Sequence, residues 1–194
     1  RDLLMQNVPE VKAVYQGYSA SVSVQDAGGA DEIAVTGIDP ATGTINFDLQ
    51  AGTGWQDDPA REGVVISREL ADGFDKTAGD VLTLTVGQQT YNYPVIGVDS
   101  YGSDALFIDW RELAHITGYV DENGSPISGV FYIQLAGDPS VDAVDDRIEA
   151  ISEVLRTQGI AATYVNQPQV ARTQAEQIDL FGIMFNVTSA IMAA

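Results

Sequence analysis

The first residues to consider are those that could carry out covalent catalysis. Residues 17–21, Gly-Tyr-Ser-Ala-Ser, approach the Gly-x-Ser-x-Gly nucleophile elbow but lack its final glycine. They also lie in a predicted strand, and the only histidine that could act as a base, His115, is distant in sequence. The chain contains no cysteine, which removes thiolate nucleophiles, disulfides and cysteine metal sites. These patterns argue against a hydrolase, and we expect no enzymatic activity.

Patterns for binding metals and nucleotides are incomplete as well. Residues 121–125 space their oxygen ligands as a calcium loop does, but Pro126 replaces the required glycine and Tyr132 stands where the bidentate glutamate belongs. Residues 52–54, Gly-Thr-Gly, are followed neither by a third glycine nor by Gly-Lys-Ser/Thr, as phosphate-binding loops require. His115 has no His or Cys partner, so we interpret it as structural. We therefore predict no metal and no cofactor in this chain.

Paired carboxylates and scattered aromatic rings remain as candidates. Asp57-Asp58 and Asp145-Asp146 are adjacent pairs typical of solvated surfaces, and acid and base roles need a spacing across a cleft that the sequence does not show. Four aromatic residues could stack on a sugar, although packing in a core or interface is their commoner role: Trp55, Tyr91, Tyr93 and Trp110. The sequence thus assigns no catalytic, cofactor or metal residue, and it leaves the residues that contact a substrate or partner unidentified.

The charge balance restricts the partners. Asp and Glu number 28 against nine Lys and Arg, which gives a formal net charge of -19. Nucleic acid is excluded because phosphate neutralisation needs clustered basic residues. The scarcity of Lys and Arg fits a segment on the outer side of a membrane, where the positive-inside bias does not apply. An acidic, salt-adapted proteome would give the same balance, and the two explanations are compatible.

The predicted elements give an α+β chain. Strands are expected over residues 11–24, 32–37, 44–49, 63–66, 81–86, 90–98, 130–136 and 160–165. Pro94 cannot donate a ladder hydrogen bond, so its strand should be an edge strand or a bulged one. Helices are expected at residues 2–7, at 67–71 with Ser67 as N-cap, at 109–115 with Asp109 and Glu112 as a capping box, at 140–155 with Ser140 as N-cap, and from about Gln167 to the end.

The end of the chain loses all charge after Asp179. This uncharged stretch falls just short of the roughly 17 to 25 apolar residues that a membrane-spanning helix needs. We interpret residues 177–194 as the start of a truncated transmembrane helix, with a buried C-terminal helix as the alternative. The start at Arg1, without an initiator Met, suggests that a first membrane helix precedes it. Both end helices should then lie side by side.

Five sequence blocks, in order, resemble the MacB-like periplasmic domain of FtsX-like ABC transporter permeases. They are Val35-Thr36-Gly37-Ile38-Asp39-Pro40, Phe47-x-Leu49-x-x-Gly52, Gly63-Val64-Val65-Ile66-Ser67-x-x-Leu70-Ala71, Ala78-Gly79-Asp80-x-Leu82-x-Leu84 and Tyr93-Pro94-Val95-Ile96-Gly97-Val98. The resemblance implies a two-lobed fold. Residues 1–46 and 129–176 would form a membrane-proximal α/β lobe, and residues 47–128 an inserted β-rich lobe.

The resemblance also implies a function and a location. The chain would be the extracytoplasmic domain of a plasma (inner) membrane permease, coupling ATPase-driven motion to export or transfer of a substrate. Its partners would be a cytoplasmic ABC ATPase, which uses the ATP, a second permease copy and an extracytoplasmic protein. The isolated domain should be monomeric or weakly dimeric, because its charge repels a second copy. The alternative is a secreted carbohydrate-binding or adhesion module.

Overall fold

A computed structural model describes residues 2–26, 29–42, 45–100, 104–137, 140–166 and 185–189. Its helices are α1 (Asp2–Asn7), α2 (Arg68–Gly73), α3 (Trp110–Ile116) and α4 (Val141–Thr157). Its strands are β1 (Val11–Asp26), β2 (Gly29–Ile38), β3 (Leu49–Gly52), β4 (Val64–Ser67), β5 (Val81–Val86), β6 (Gln89–Asp99), β7 (Leu106–Asp109), β8 (Val130–Leu135), β9 (Ala162–Asn166) and β10 (Phe185–Ser189). The predicted α+β class is confirmed.

Internal contacts divide the chain into two compact units. The terminal unit comprises residues 1–16 and 129–194, and the barrel unit comprises residues 17–128. A β-rich unit is thus inserted between two chain ends that build the other unit. Residues 17–46, which the sequence analysis placed with the chain ends, lie in the barrel unit, because β1 and β2 pair as an antiparallel hairpin from Tyr18–Gly37 to Asp26–Gly29.

The barrel unit is a closed sheet of six strands, in the order β1-β2-β7-β4-β6-β5 and back to β1. Two of the pairings are parallel, β2 with β7 and β4 with β6, and the other four are antiparallel. Closure removes the free edges that an open sheet of these strands would expose. Side chains that alternate along β5, Leu82 and Leu84, are buried in the interior with Val24, Val35 and Leu106.

Strand β6 shows how the chain accommodates Pro94. The strand has neighbours on both sides, so Pro94 does not lie on an edge strand. Its register against β4 shifts, with Val64 opposite Val95 and Val65 opposite Gly97, which leaves Ile96 as an extra residue. The prediction of a bulged strand is therefore confirmed, since the register shift lies two residues from the proline.

The terminal unit packs two helices on strands that come from both ends of the chain. The neighbouring strands are the first part of β1, then β8, β10 and β9. Leu4 and Val8 near α1 pack with Ile133 of β8 and with the apolar stripe of α4, where Val144, Ile151 and Leu155 are buried. The helical spacing of that stripe is the one expected for a helix lying on a sheet. Ser140 accepts a hydrogen bond from the Ala143 amide, so the predicted N-cap is confirmed.

Two element predictions are wrong. Residues 185–189, placed by the sequence analysis in a C-terminal helix, form β10, which pairs with both β8 and β9. Alternation of Phe, Asn, Val and Thr suits a strand, and two neighbouring strands supply its backbone partners. The rest of the predicted helix and of the transmembrane segment, residues 167–184 and 190–194, lies outside the described residues. Residues 45–48 are irregular, and the predicted strand at 44–49 begins only at Leu49.

Within the described ranges, none of the helices has both the length and the hydropathy that crossing a bilayer takes.

Candidate functional site: a groove on the barrel unit

The long connection between β2 and β4 covers the outside of the barrel. It begins at Asp39, whose carboxylate accepts a hydrogen bond from the Ala41 amide and starts a 3-10 turn over Pro40–Thr42. It continues through β3, which pairs with β6, and ends at Gly63 before β4. We call residues 39–63 the covering segment.

An apolar cluster separate from the barrel interior holds the covering segment in place. Phe47 and Trp55 of the segment pack on Ile38, Val65 and Ile96, which point outward from the barrel strands. Strand β4 is therefore buried on both faces, with Val64 and Ile66 inside the barrel and Val65 outside. Burial removes the apolar side chains on both faces of β4 from water. This burial stabilises the attachment of the covering segment to the barrel.

Two adjoining hollows form a groove along the covering segment, and they share Pro40, Trp55 and Pro59. The charged hollow has a volume of about 310 Å³ and lies between residues 59–63 and the start of α3. The apolar hollow has a volume of about 280 Å³ and is lined mainly by Ile38, Ala41, Ile45 and Phe47, together with the shared residues.

Arg111 occupies the centre of an ion-pair network beside the charged hollow. Its guanidinium lies 2.9 Å from Asp39 and 3.3 Å from Asp109, and it stacks over the Trp110 ring at 4.9 Å from the centroid. The hydrogen bond to Asp39 raises the pKa of Arg111. Burial raises the pKa of Asp109, and hydrogen bonding and the charge of Arg111 partly oppose that shift. The positive charge of Arg111 is therefore neutralised within the barrel unit.

Tyr93 and Glu112 form a second polar contact in the charged hollow. The Tyr93 hydroxyl donates a hydrogen bond of 2.6 Å to the Glu112 carboxylate. Burial raises the pKa of Tyr93 well above its usual value, and the hydrogen bond to Glu112 adds to the shift. The charge of Glu62 raises the same pKa, so both carboxylates act on one hydroxyl.

The predicted capping box at α3 is confirmed for Asp109 but not for Glu112. Asp109 is the N-cap, as predicted, and its carboxylate accepts a hydrogen bond of 2.7 Å from the Arg111 amide. Glu112, predicted as the reciprocal partner in that box, has its carboxylate bonded to Tyr93 instead. Sequence spacing could not indicate this contact, because β6 and α3 meet only in the folded barrel.

Arg61 and Glu62 are the exposed charged residues of the hollow's other wall. The Arg61 guanidinium donates a hydrogen bond of 3.1 Å to the Thr53 hydroxyl. Its backbone carbonyl accepts a hydrogen bond of 3.0 Å from the Trp55 indole. The indole contact fixes the backbone at Arg61, while the charged ends of both side chains remain in contact with solvent.

The aromatic residues considered for sugar stacking are mostly buried. Trp55, Tyr93 and Trp110 are 6%, 9% and 5% exposed, and Tyr91 is half-buried. A ring that packs both faces in a core cannot offer one to a sugar. The carbohydrate-binding alternative therefore loses the support of these aromatic residues.

The remaining sequence candidates do not line the groove. Asp121 accepts hydrogen bonds from the Asn123 and Ser125 amides of its own turn. Asp145 accepts one from Asn166, and Asp57 and Asp58 are exposed. His115 lies in the last turn of α3, as predicted. The described lining of the groove includes no Ser, Cys, Lys or His, and its shape and charges suit binding.

The family model of the MacB-like periplasmic core domain matches residues 1–151. The chain belongs to this family. The resemblance seen in the five sequence blocks is thereby confirmed. The family is one of transporter periplasmic domains and not an enzyme class. No curated protein sequence matches the chain.

Two solved structures share the fold. One is the extracellular domain of the noncanonical ABC-type transporter YknZ from Gram-positive bacteria, at 21% identity and a TM-score of 0.55, with 81% of each chain covered. The other is the periplasmic region of MacB from Actinobacillus actinomycetemcomitans, at 13% identity and a TM-score of 0.50, with 91% of this chain and 81% of that chain covered. At these identities the likeness concerns the fold.

Proposed function

We propose that the chain is the extracytoplasmic domain of an ABC transporter permease, and that it couples ATPase-driven motion to the export or transfer of a substrate outside the plasma membrane. The match of residues 1–151 to the family of MacB-like periplasmic core domains carries this proposal. The groove of the barrel unit, with one charged and one mainly apolar hollow, supports a binding role.

The proposal includes partners and an orientation. A cytoplasmic ABC ATPase would supply the energy, and a second permease copy would complete the transporter. The terminal unit, which contains both chain ends, would connect the domain to the membrane-spanning part of the permease. Substrate or an extracytoplasmic partner protein would then meet the barrel unit.

Labelling of a single introduced cysteine tests the location. The chain has no cysteine, and Glu122 lies exposed in the turn after β-bridge residue Val120. In the intact permease in cells, Glu122→Cys should react with a membrane-impermeant maleimide, and the parent protein controls for cysteines outside this chain. Labelling that requires permeabilised cells would reject an extracytoplasmic location.

A second measurement tests the coupling. In the permease reconstituted with its ATPase, amide hydrogen exchange in residues 2–166 should differ between the ATP-bound and nucleotide-free states, because a domain that transmits motion must change its contacts. Identical exchange in both states would reject the coupling and leave the location unaffected.

A further inference from the structure

We propose that the groove binds an extended polypeptide segment in which a lysine or arginine side chain enters the charged hollow and a neighbouring apolar side chain enters the apolar hollow. The proposal deepens the proposed function, on which it rests for placing the groove outside the membrane. The occupant is a basic and apolar segment of an extracytoplasmic partner protein.

The shape of the groove argues for a chain of alternating character. Pro40, Trp55 and Pro59 line both hollows and so form their common wall. One hollow is lined by charged side chains and the other mainly by apolar ones, at a similar volume. Neighbouring side chains of an extended segment can enter two adjoining hollows of different polarity, which a small rigid ligand of one polarity cannot fill equally well.

The charges of the groove argue for a basic side chain. Arg111 is already paired with Asp39 and Asp109. Glu62 and Glu112 remain, and both line the charged hollow, where the Glu112 carboxylate accepts a hydrogen bond from the Tyr93 hydroxyl. An entering ammonium or guanidinium can donate charge-assisted hydrogen bonds to either carboxylate.

The charge of the whole barrel unit favours the same ligand. Residues 17–128 contain eighteen Asp and Glu against four Lys and Arg. Such a field raises the local concentration of a basic segment and repels an acidic one. Arg61 lies in the wall of the charged hollow and opposes the field there. Replacing Arg61 with an uncharged residue is therefore expected to strengthen the binding of a basic segment.

The test uses the 194-residue chain and two blocked synthetic peptides of equal length, one alternating lysine with leucine and the other glutamate with leucine. Calorimetry measures affinity, and amide NMR shifts locate the site. The basic peptide should bind and shift the amides of residues 60–63 and 109–112. Glu62→Gln should weaken the affinity for the basic peptide roughly threefold, which is the effect of one exposed charge. Arg61→Gln should strengthen this affinity by a similar factor.

The chain supplies a matched control pair. Arg68 and Glu69 repeat the Arg-Glu sequence on exposed positions of α2, and neither lines the groove. Arg68→Gln and Glu69→Gln should leave the affinity within about twofold. All four positions are exposed, so the variants should fold, and thermal melts check this.

Several outcomes overturn the proposal. These are equal binding of the acidic peptide, no binding of the basic peptide, weaker binding of Arg61→Gln, or an effect of Glu69→Gln as large as that of Glu62→Gln. Surface labelling of Glu122→Cys together with any of these results rejects the groove's role and retains the outer-domain function. Peptide binding without surface labelling rejects the function and retains the chemistry of the groove.

Discussion

Gly63, at the end of the covering segment, has a backbone conformation that only glycine adopts easily. Gly63 has φ +146°, and a Cβ there would lie 2.5 Å from Ile96 Cγ2 and 2.6 Å from the Pro94 carbonyl oxygen. We expect Gly63→Ala to lower the free energy of unfolding by about 2 kcal/mol or more, because strain adds to overpacking. Urea unfolding measures this. Gly73→Ala is the control, since a Cβ there meets nothing within 4 Å; an equal loss in both variants would contradict the argument.

Tyr93 gives stability a dependence on alkaline pH. Its pKa lies above the usual 10.0, because burial and then the hydrogen bond to Glu112 favour the neutral phenol. The folded state therefore keeps a proton that the unfolded chain loses. This contribution is fully present below about pH 10 and is lost as the pH rises toward the folded-state pKa. Thermal melts between about pH 9 and pH 11 should show a steeper loss in the native chain than in Tyr93→Phe.

The control for this pH dependence is Tyr119→Phe, because Tyr119 is 38% exposed. This variant should keep the steep loss of the native chain. At neutral pH, Tyr93→Phe should also lose about 1 kcal/mol through the missing hydrogen bond. Parallel pH profiles for the native chain and Tyr93→Phe would refute the role assigned to burial.

At the level of elements, Ser67 joins a strand to a helix. Its hydroxyl accepts hydrogen bonds of 3.2 Å from the Leu70 amide, as predicted for an N-cap, and from the Ala105 amide before β7. Ser67 is fully buried, so Ser67→Ala leaves one buried and one partly buried amide without this partner. We expect a loss of about 2 kcal/mol in unfolding free energy. The exposed N-cap variant Ser140→Ala should cost less; the reverse order would contradict the burial argument.

At the scale of the whole molecule, a net charge of -19 makes stability depend on salt. Self-repulsion opposes the compact state, and salt screens it within a Debye length of about 10 Å at 0.1 M. Raising NaCl from about 20 mM to about 500 mM should increase Tm by several degrees at pH 7. The increase should nearly vanish near pH 4.1, the isoelectric point. An equal increase in Tm at both pH values would show that salt stabilises the fold by a general effect and not by screening charge repulsion.

Local sequence determined those elements whose signals are local. The helix at Asp2–Asn7, the strand at Val81–Val86 and the caps at Ser67 and Ser140 follow from periodicity and side-chain hydrogen bonding within a few residues. The order of the five sequence blocks was sufficient for the family, because order along the chain is itself a property of the sequence.

Only the tertiary structure decided how these elements combine. Strand β1 continues from one unit into the other without a change in composition, so no sequence signal marks the boundary at Gly17. Residues 185–189 become a strand because two separate strands offer hydrogen-bonding partners to their backbone. The groove depends on contacts such as Arg111 with Asp39, 72 residues apart. Such pairings form when the barrel closes, so the spacing of residues along the chain does not indicate them.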